Sequence, residues 1–534
     1  MRNITVSWAA LLAAVLPAYS QIPAVRSGTA SGTKIQRYVE LVAQNDILKG
    51  SAFGVLAVTG GGDTIAAWNP GMRMVPASTL KLVTAGSALH RLGPDFRFET
   101  RLGCKGTVKD GVLEGDLYII GGGDPTIASK DSIAIPRHFL FSQWKALLDR
   151  AGIKQIKGRV IGDGRCFDGP LEKDTWSYQD VGTAYGTGGD GLCFYENAQD
   201  FQVSAGASVG SPVNVQVSFP ATPWMKYSYL GRTAPAGTGD QLFLYTSDVH
   251  PYAEMRGSFA IDRRPKTEEL SNKFGAYTCA YYFCNYLSSN GIKVSGGSAD
   301  IRLGRIRAEP GNLEPGPYAT RIDDLKILGT TYSPSLRKIV RECLLESDNF
   351  YAETLLRTLG RRLHHSASYD SSYVALNDVF LSLGVDASDV RIRDGSGLSR
   401  HNYVSPAFFV RFLSAMMDSP VFGEYAATLG QPGGRHYESR LSGASAALKS
   451  RIRYKSGSMD GVRCFSGYIE PSEAGPAGRV SAHEKTIDRT AKDRQTGIRD
   501  DTIVFSVMTN NALVPARQVD AVLDRIIALL ATAN

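Results

Sequence analysis

Ser78 and Lys81 stand three positions apart in Ser78-Thr79-Leu80-Lys81. On a helix that spacing sets the lysine amine beside the serine hydroxyl. An amine whose pKa is lowered by burial and by other cations can take the hydroxyl proton and leave a nucleophilic oxygen. The pattern alone is weak, because Ser31 to Lys34, Ser142 to Lys145 and Ser335 to Lys338 repeat it, and a plain helix cap explains any of them. Ser347-Asp348-Asn349 is an SxN, with a decoy at Ser288 to Asn290. In it Ser347 could relay a proton to a leaving amine and Asn349 could bind a substrate amide, although an ordinary helix–loop junction reads the same. Lys455-Ser456-Gly457 is the only K-[ST]-G in the chain. There Lys455 offers positive charge and Ser456 a hydroxyl for a carboxylate; an exposed turn is the plain alternative.

The surrounding elements separate the motifs from their decoys. Phe53 to Val58 and Thr64 to Trp68, split by Gly60-Gly61-Gly62-Asp63, predict a β-hairpin. Leu82, Ala85, Ala88 and Leu89 then share one helical face, and Ser78 falls at the N-cap position. Only this SxxK follows a strand pair and opens a helix. From 97 to 330 short alternating runs predict mostly β structure, with a helix-plus-strand unit between Ile133 and Gly162. Helices are predicted after Ser333-Pro334, over Tyr373 to Leu383, Ser405 to Met417 and Ala516 to Ala531, and strands over Phe465 to Ile469 and Thr502 to Met508. The polar stretch 471–501 reads as a long exposed loop.

At 534 residues the chain calls for roughly two or three domains. Its 43% hydrophobic and 21% charged composition is that of a globular protein. The net charge of +7 is scattered rather than gathered into a basic arm, which disfavours nucleic acid as a partner and suits an anionic polymer equally well. Arg2, the apolar run Val6 to Leu16, Pro17 and the small-residue pattern Ala18-Tyr19-Ser20 predict a secretory signal peptide over 1–20 and an exported chain with no transmembrane anchor. Seven cysteines without a CxxC give neither a disulfide scaffold nor a zinc ribbon, and His364-His365 lacks the HExxH context of a zinc helix.

SxxK, SDN and K-[ST]-G in this order form the signature of penicillin-binding proteins and class A β-lactamases. The chain resembles a class C low-molecular-mass penicillin-binding protein, a D-alanyl-D-alanine carboxypeptidase/endopeptidase. Gly115-Asp116-Leu117-Tyr118 with Gly123-Asp124-Pro125, Glu346 to Asn349 with Ala352-Glu353, and Asp394 to Ser399 also fit that family, as does the long gap between Ser78 and Ser347. Ser456 in place of the usual threonine is a conservative departure; the polar 471–501 loop is another. The resemblance implies an α/β (α+β) transpeptidase fold, with a central antiparallel sheet flanked by helices and further domains inserted in it. The expected division is catalytic domain over 21–98 and 331–534, an inserted mostly-β domain over 99–124 and 200–330, and a small α/β domain nested at 125–199. It implies Ser78 as nucleophile, Lys81 as base, Ser347 and Lys455 as proton route to the leaving group, and Ser78 and Ser458 N–H groups as oxyanion hole. Lys455 and Ser456 would receive the terminal carboxylate and Asn349 the acyl-side amide, with Gly457 also among the substrate-binding residues. Peptidoglycan stem peptides and, covalently, β-lactams are the implied partners, in the periplasm or cell envelope, with no metal or organic cofactor.

Three alternatives stand beside this. Gly206 to Gly210 matches GxSxG around Ser208, but Ser211-Pro212 and alternating valines predict a strand where a nucleophile elbow needs a helix. A β-lactamase of the same fold needs a deacylating glutamate after its SDN, and no Glu occurs from Thr354 through Gly423. A non-catalytic wall-binding module is the third.

Overall fold

The computed structural model describes residues 33–303, 316, 318–472 and 500–532; the expected signal peptide and most of the 471–501 loop lie outside them. Helix α1 (Lys34–Ala43) precedes the expected hairpin, β1 (Ala52–Thr59) and β2 (Thr64–Trp68). A 3-10 turn, Ala77–Leu80, then runs into α2 (Lys81–Leu92). After a long insert the chain returns through α5 (Leu336–Leu345), α6 (Asn349–His364), α7 (Tyr369–Ser382), α8 (Pro406–Met417), α9 (Phe422–Ala426) and α10 (Ala446–Ser450). It ends in β18 (Ile452–Met459), β19 (Val462–Ile469), β20 (Ile503–Asn510) and α11 (Ala516–Thr532).

The first and last stretches of the chain build one antiparallel sheet, in the order β18-β19-β20-β1-β2. Every residue of β20 is buried, because the strand is central and both sheet faces are covered. Its alternate side chains serve two cores. Val504 and Met508 join Leu82, Phe408 and Phe412 of α2 and α8. Phe505 and Val507 join Val39 of α1 and Leu523 and Ile527 of α11. The sheet flanked by helices is the expected architecture.

The insert holds β3 (Glu99–Lys109), β4 (Val112–Ile120), α3 (Arg137–Arg150), β5 (Gln155–Ile156) and β6 (Val160–Asp163). Then come β7 (Ala198–Ser204), β8 (Asn214–Phe219), β9 (Lys226–Tyr229), β10 (Arg232–Ala234), β11 (Phe243–Ser247), β12 (His250–Arg256), β13 (Ser258–Ala260) and β14 (Lys266–Ser271). It closes with α4 (Gly275–Ser289), β15 (Lys293–Val294), β16 (Ser298–Asp300) and β17 (Lys326–Tyr332). Strand pairing groups these elements differently from the expected nesting. β3, β4, β5, β6, β15, β16 and β17 share one sheet, with α3 and α4 sharing its core, so the α/β unit is the outer one. β7 to β14 pair only among themselves, apart from isolated bridges, around Phe201, Leu244, Met255 and Phe259, and the all-β module is the nested one. The residues over 125–199 supply β5 and β6 to the outer sheet rather than a domain of their own.

No helix among the described residues is long and apolar enough to cross a membrane. All seven cysteines are free thiols.

Candidate active site

The sequence puts Ser78 at an N-cap; in the structure it lies inside the 3-10 turn and caps nothing with its side chain. The hydroxyl that closes this turn is that of Thr79, which donates to the Pro76 carbonyl at 2.5 Å. Ala77, immediately before Ser78, is buried and takes φ +47°, a left-handed conformation unfavourable for a residue with a Cβ. Two glycines wedge this strained turn in place. A Cβ on Gly397 would lie 1.9 Å from the Ala77 carbonyl oxygen, and one on Gly457 2.4 Å from that of Pro76. The Ser78 hydroxyl is thereby left free to face Lys81, whose Nζ donates to it at 2.9 Å.

Lys81 is fully buried at the start of α2, and its Nζ also donates to Asn349 Oδ1 at 2.6 Å and to the Ser396 carbonyl at 2.9 Å. Both of these partners accept and cannot donate to it. Should the amine lose a proton, its two remaining N–H bonds stay with Asn349 and Ser396, and the lone pair points at Ser78. Burial, with the nearby Lys455 charge, lowers its pKa to about 8.

Asn349 is the first residue of α6, where Asp348 caps the helix by accepting the Tyr351 N–H at 2.7 Å. Ser347 precedes this cap at φ +59°, a left-handed turn between α5 and α6, half-buried. The Asn349 Nδ2 donates to the carbonyl of Tyr185, a residue of the insert, at 3.0 Å. A carbonyl only accepts, so this contact fixes the amide with Oδ1 towards Lys81.

The loop 394–399 supports Lys81 from behind. The fully buried Asp394 accepts the Gly397 N–H at 2.9 Å, and the same peptide unit presents the Ser396 carbonyl to Lys81. Asp394 also accepts from Ser399 N, Asn402 Nδ2 and, from the insert, Trp176 Nε1 at 2.8 Å. Glu353 of α6 takes the Gly395 and Ser396 N–H groups at 3.0 and 2.8 Å and the Tyr369 hydroxyl. Burial and the Asp394 charge raise its pKa to about 7. With both oxygens so occupied, Glu353 serves the loop and is not a free base.

β18 forms the far wall. Lys455 is buried, its Nζ donating to the Ser456 carbonyl at 2.9 Å, and burial lowers its pKa to about 8. Ser456 Oγ lies 3.2 Å from the hydroxyl of Tyr437, which accepts the Ser456 N–H at 3.5 Å. Tyr454 exchanges both backbone bonds with Gly430, on the side away from β19. Antiparallel bonding alternates, and the β18–β19 register is unbroken, so the N–H groups of Ser456 and Ser458 point to that same outer side. Gly457 brings this edge against the 3-10 turn that carries Ser78: a Cβ placed on it would lie 3.2 Å from the Ser78 N. The Ser458 side chain is exposed and accepts from Arg463.

Of the sequence-predicted residues, Ser78, Lys81 and Asn349 are joined by direct bonds, and Gly457 of β18 packs against the Ser78 turn. Sequence reasoning misses the Tyr185 and Ser396 carbonyls and Tyr437. Ser208 sits in a loop before β8, and His364 Nε2 lies 2.6 Å from the Asp378 carboxylate, away from Ser78.

Several known proteins are similar to this chain. A D-alanyl-D-alanine carboxypeptidase of Actinomadura sp. (strain R39) is 27% identical over 463 residues, covering 84% of this chain and 80% of its own. The carboxypeptidase DacB of Haemophilus influenzae is 25% identical over 419 residues, covering 76% and 79%. The crystal structure of penicillin-binding protein 4 from H. influenzae superposes with a TM-score of 0.72 at 22% identity, over 93% of this chain and 98% of that one, which shows a shared fold. The same protein complexed with a β-lactam gives 0.68 at 21% identity over the same shares. Residues 35–528 match the profile of one peptidase family, and the chain belongs to it: the D-Ala-D-Ala carboxypeptidase 3 (S13) family.

Proposed function

We propose that this chain is an exported serine D-alanyl-D-alanine carboxypeptidase/endopeptidase of peptidoglycan stem peptides, working through an acyl-enzyme on Ser78. The observation that carries this reading is the triple coordination of Lys81 Nζ by Asn349, Ser396 and Ser78. As the Ser78 oxygen attacks the carbonyl carbon between two D-alanines, its proton passes to the neutral Lys81 amine. The oxyanion that forms accepts from the N–H groups of Ser78 and Ser458. Collapse breaks the C–N bond, the departing amine takes a proton by way of Ser347 and Lys455, and an ester on Ser78 remains. Water then releases the shortened peptide and restores the hydroxyl. Lys455 and Ser456 receive the terminal carboxylate, and the second N–H of Asn349 is left for the acyl-side amide.

A β-lactam presents a strained amide and a carboxylate to the same groups, in keeping with its binding to the H. influenzae relative. Glu353, the glutamate behind the site, is held by backbone N–H groups and is not free to activate a deacylating water. Incubation with a fluorescent penicillin and peptide mapping by mass spectrometry test the whole reading. Label is expected on Ser78, persisting for minutes, and absent from Ser78→Ala. A folded parent protein that takes no label would sink the catalytic assignment in favour of wall binding without turnover; rapid penicillin hydrolysis would favour a β-lactamase.

A further inference from the structure

The amide of Asn349 is held from outside the catalytic domain, and the hold can be traced inward to a buried cation. Lys273 lies between β14 and α4 with a fully buried side chain. Its Nζ donates to the Gly186 carbonyl at 2.5 Å and stands 3.4 Å from the Glu172 carboxylate. The preceding carbonyl in the same turn, that of Tyr185, accepts from Asn349 Nδ2.

The segment around this turn is fixed on both sides. Ser271 of β14 donates its N–H to Gly182 at 2.9 Å, and Thr183 bridges Leu270. A Cβ on Gly182 would meet the Leu244 carbonyl oxygen at 1.6 Å, so the segment lies flush on β11 of the nested module. On the opposite side a Cβ on Gly189 would come within 3.0 Å of the α6 backbone at Glu353 and Thr354. Lys273 supplies what a methionine cannot: a donor aimed at one main-chain carbonyl, held with the Glu172 carboxylate as counter-charge.

We propose that Lys273 is a positioning residue for Asn349, acting through the Ala184–Gly186 turn, and that the inserted domains serve the catalytic site by this contact. The inference rests on the acyl-enzyme reading above. With the turn released, Nδ2 loses its fixed acceptor, and the Asn349 amide can rotate its N–H groups towards Lys81, where they offer the ammonium nothing to bond.

A double-mutant cycle on the full-length protein tests this, with the rate of Ser78 labelling by a fluorescent penicillin as readout. Lys273→Met is expected to slow labelling roughly tenfold in the parent. In an Asn349→Ala background it is expected to change nothing further, because its effect passes through that amide. Equal losses in both backgrounds, or no loss in the parent, would overturn the proposal. Should Lys273→Met not fold, Lys273→Leu, which also lacks a donor, goes through the same cycle with the same deciding outcomes. An unlabelled parent would overturn the acyl-enzyme reading itself, whereas a labelled parent with an additive cycle overturns only the role of Lys273.

Discussion

Two buried lysines share the site and need opposite protonation states. In the proposed mechanism Lys81 loses its proton to act on Ser78, while Lys455 keeps its own to hold a carboxylate, and burial brings both to about 8. As pH rises through that value the neutral fraction of Lys81 grows and acylation accelerates. Over the same range Lys455 discharges and the carboxylate loses its counter-ion. Acylation by a carboxylate-bearing β-lactam is therefore expected to follow a bell with its maximum near pH 8, the two limbs belonging to the coupled pair. Lys455→Arg keeps its charge across the whole range. It should lower the rate and remove the alkaline limb while leaving the acid one. A stopped-flow profile that keeps its alkaline fall in Lys455→Arg would show that this limb has another origin.

Among the elements, the contact between β18 and the nucleophile turn is the most sharply constrained. Gly457 is there because any Cβ would meet the Pro76 oxygen at 2.4 Å and the Thr79 nitrogen at 2.9 Å. Gly457→Ala must push the strand edge, and the Ser458 N–H with it, away from Ser78. An overpacking cost of about 1–3 kcal/mol is expected in thermal unfolding, with loss of Ser78 labelling on the order of a hundredfold or more, since one oxyanion donor is displaced. Labelling at the parent rate would mean that the edge N–H is not used. The glycine was legible in the sequence as part of KSG, and the hairpin, α8 and α11 were legible from their periodicity. Helix α6 was not, although Glu353, Arg357 and Arg361 recur at helical spacing: Glu353 and Arg357 are turned inward, Glu353 to the 394–399 loop and Arg357 to the carbonyls of Gly189 and Ala367, instead of marking a solvent face. Tyr185 and Ser396 escaped for a different reason: each contributes a backbone carbonyl, on which side-chain identity leaves no mark.

At the scale of the molecule the sequence showed an insert of different texture but not its nesting. β5, β15 and β16 are two or three residues long, too short to carry an alternation, so nothing in the pattern assigns them to the β3–β4 sheet. The distinction has energetic consequences. The α/β unit shares one continuous core with the catalytic helices, in which Trp144 and Phe283 belong to the same cluster as Leu82 and Phe412. The nested β module keeps a small core of its own, and along β8 exposed residues alternate with half-buried ones. Local opening free energies follow buried apolar contact. Amides of β7 to β14 are thus expected to exchange by a sub-global opening at denaturant concentrations where α2, α6 and β20 still exchange only by global unfolding. Because that module also anchors the turn that orients Asn349, Ser78 labelling should fall at the denaturant concentration that opens the module, before the catalytic core unfolds. Hydrogen-exchange mass spectrometry and labelling followed across one denaturant series make the comparison. Labelling that survived until the core itself opened would separate the module from catalysis and leave it a structural appendage.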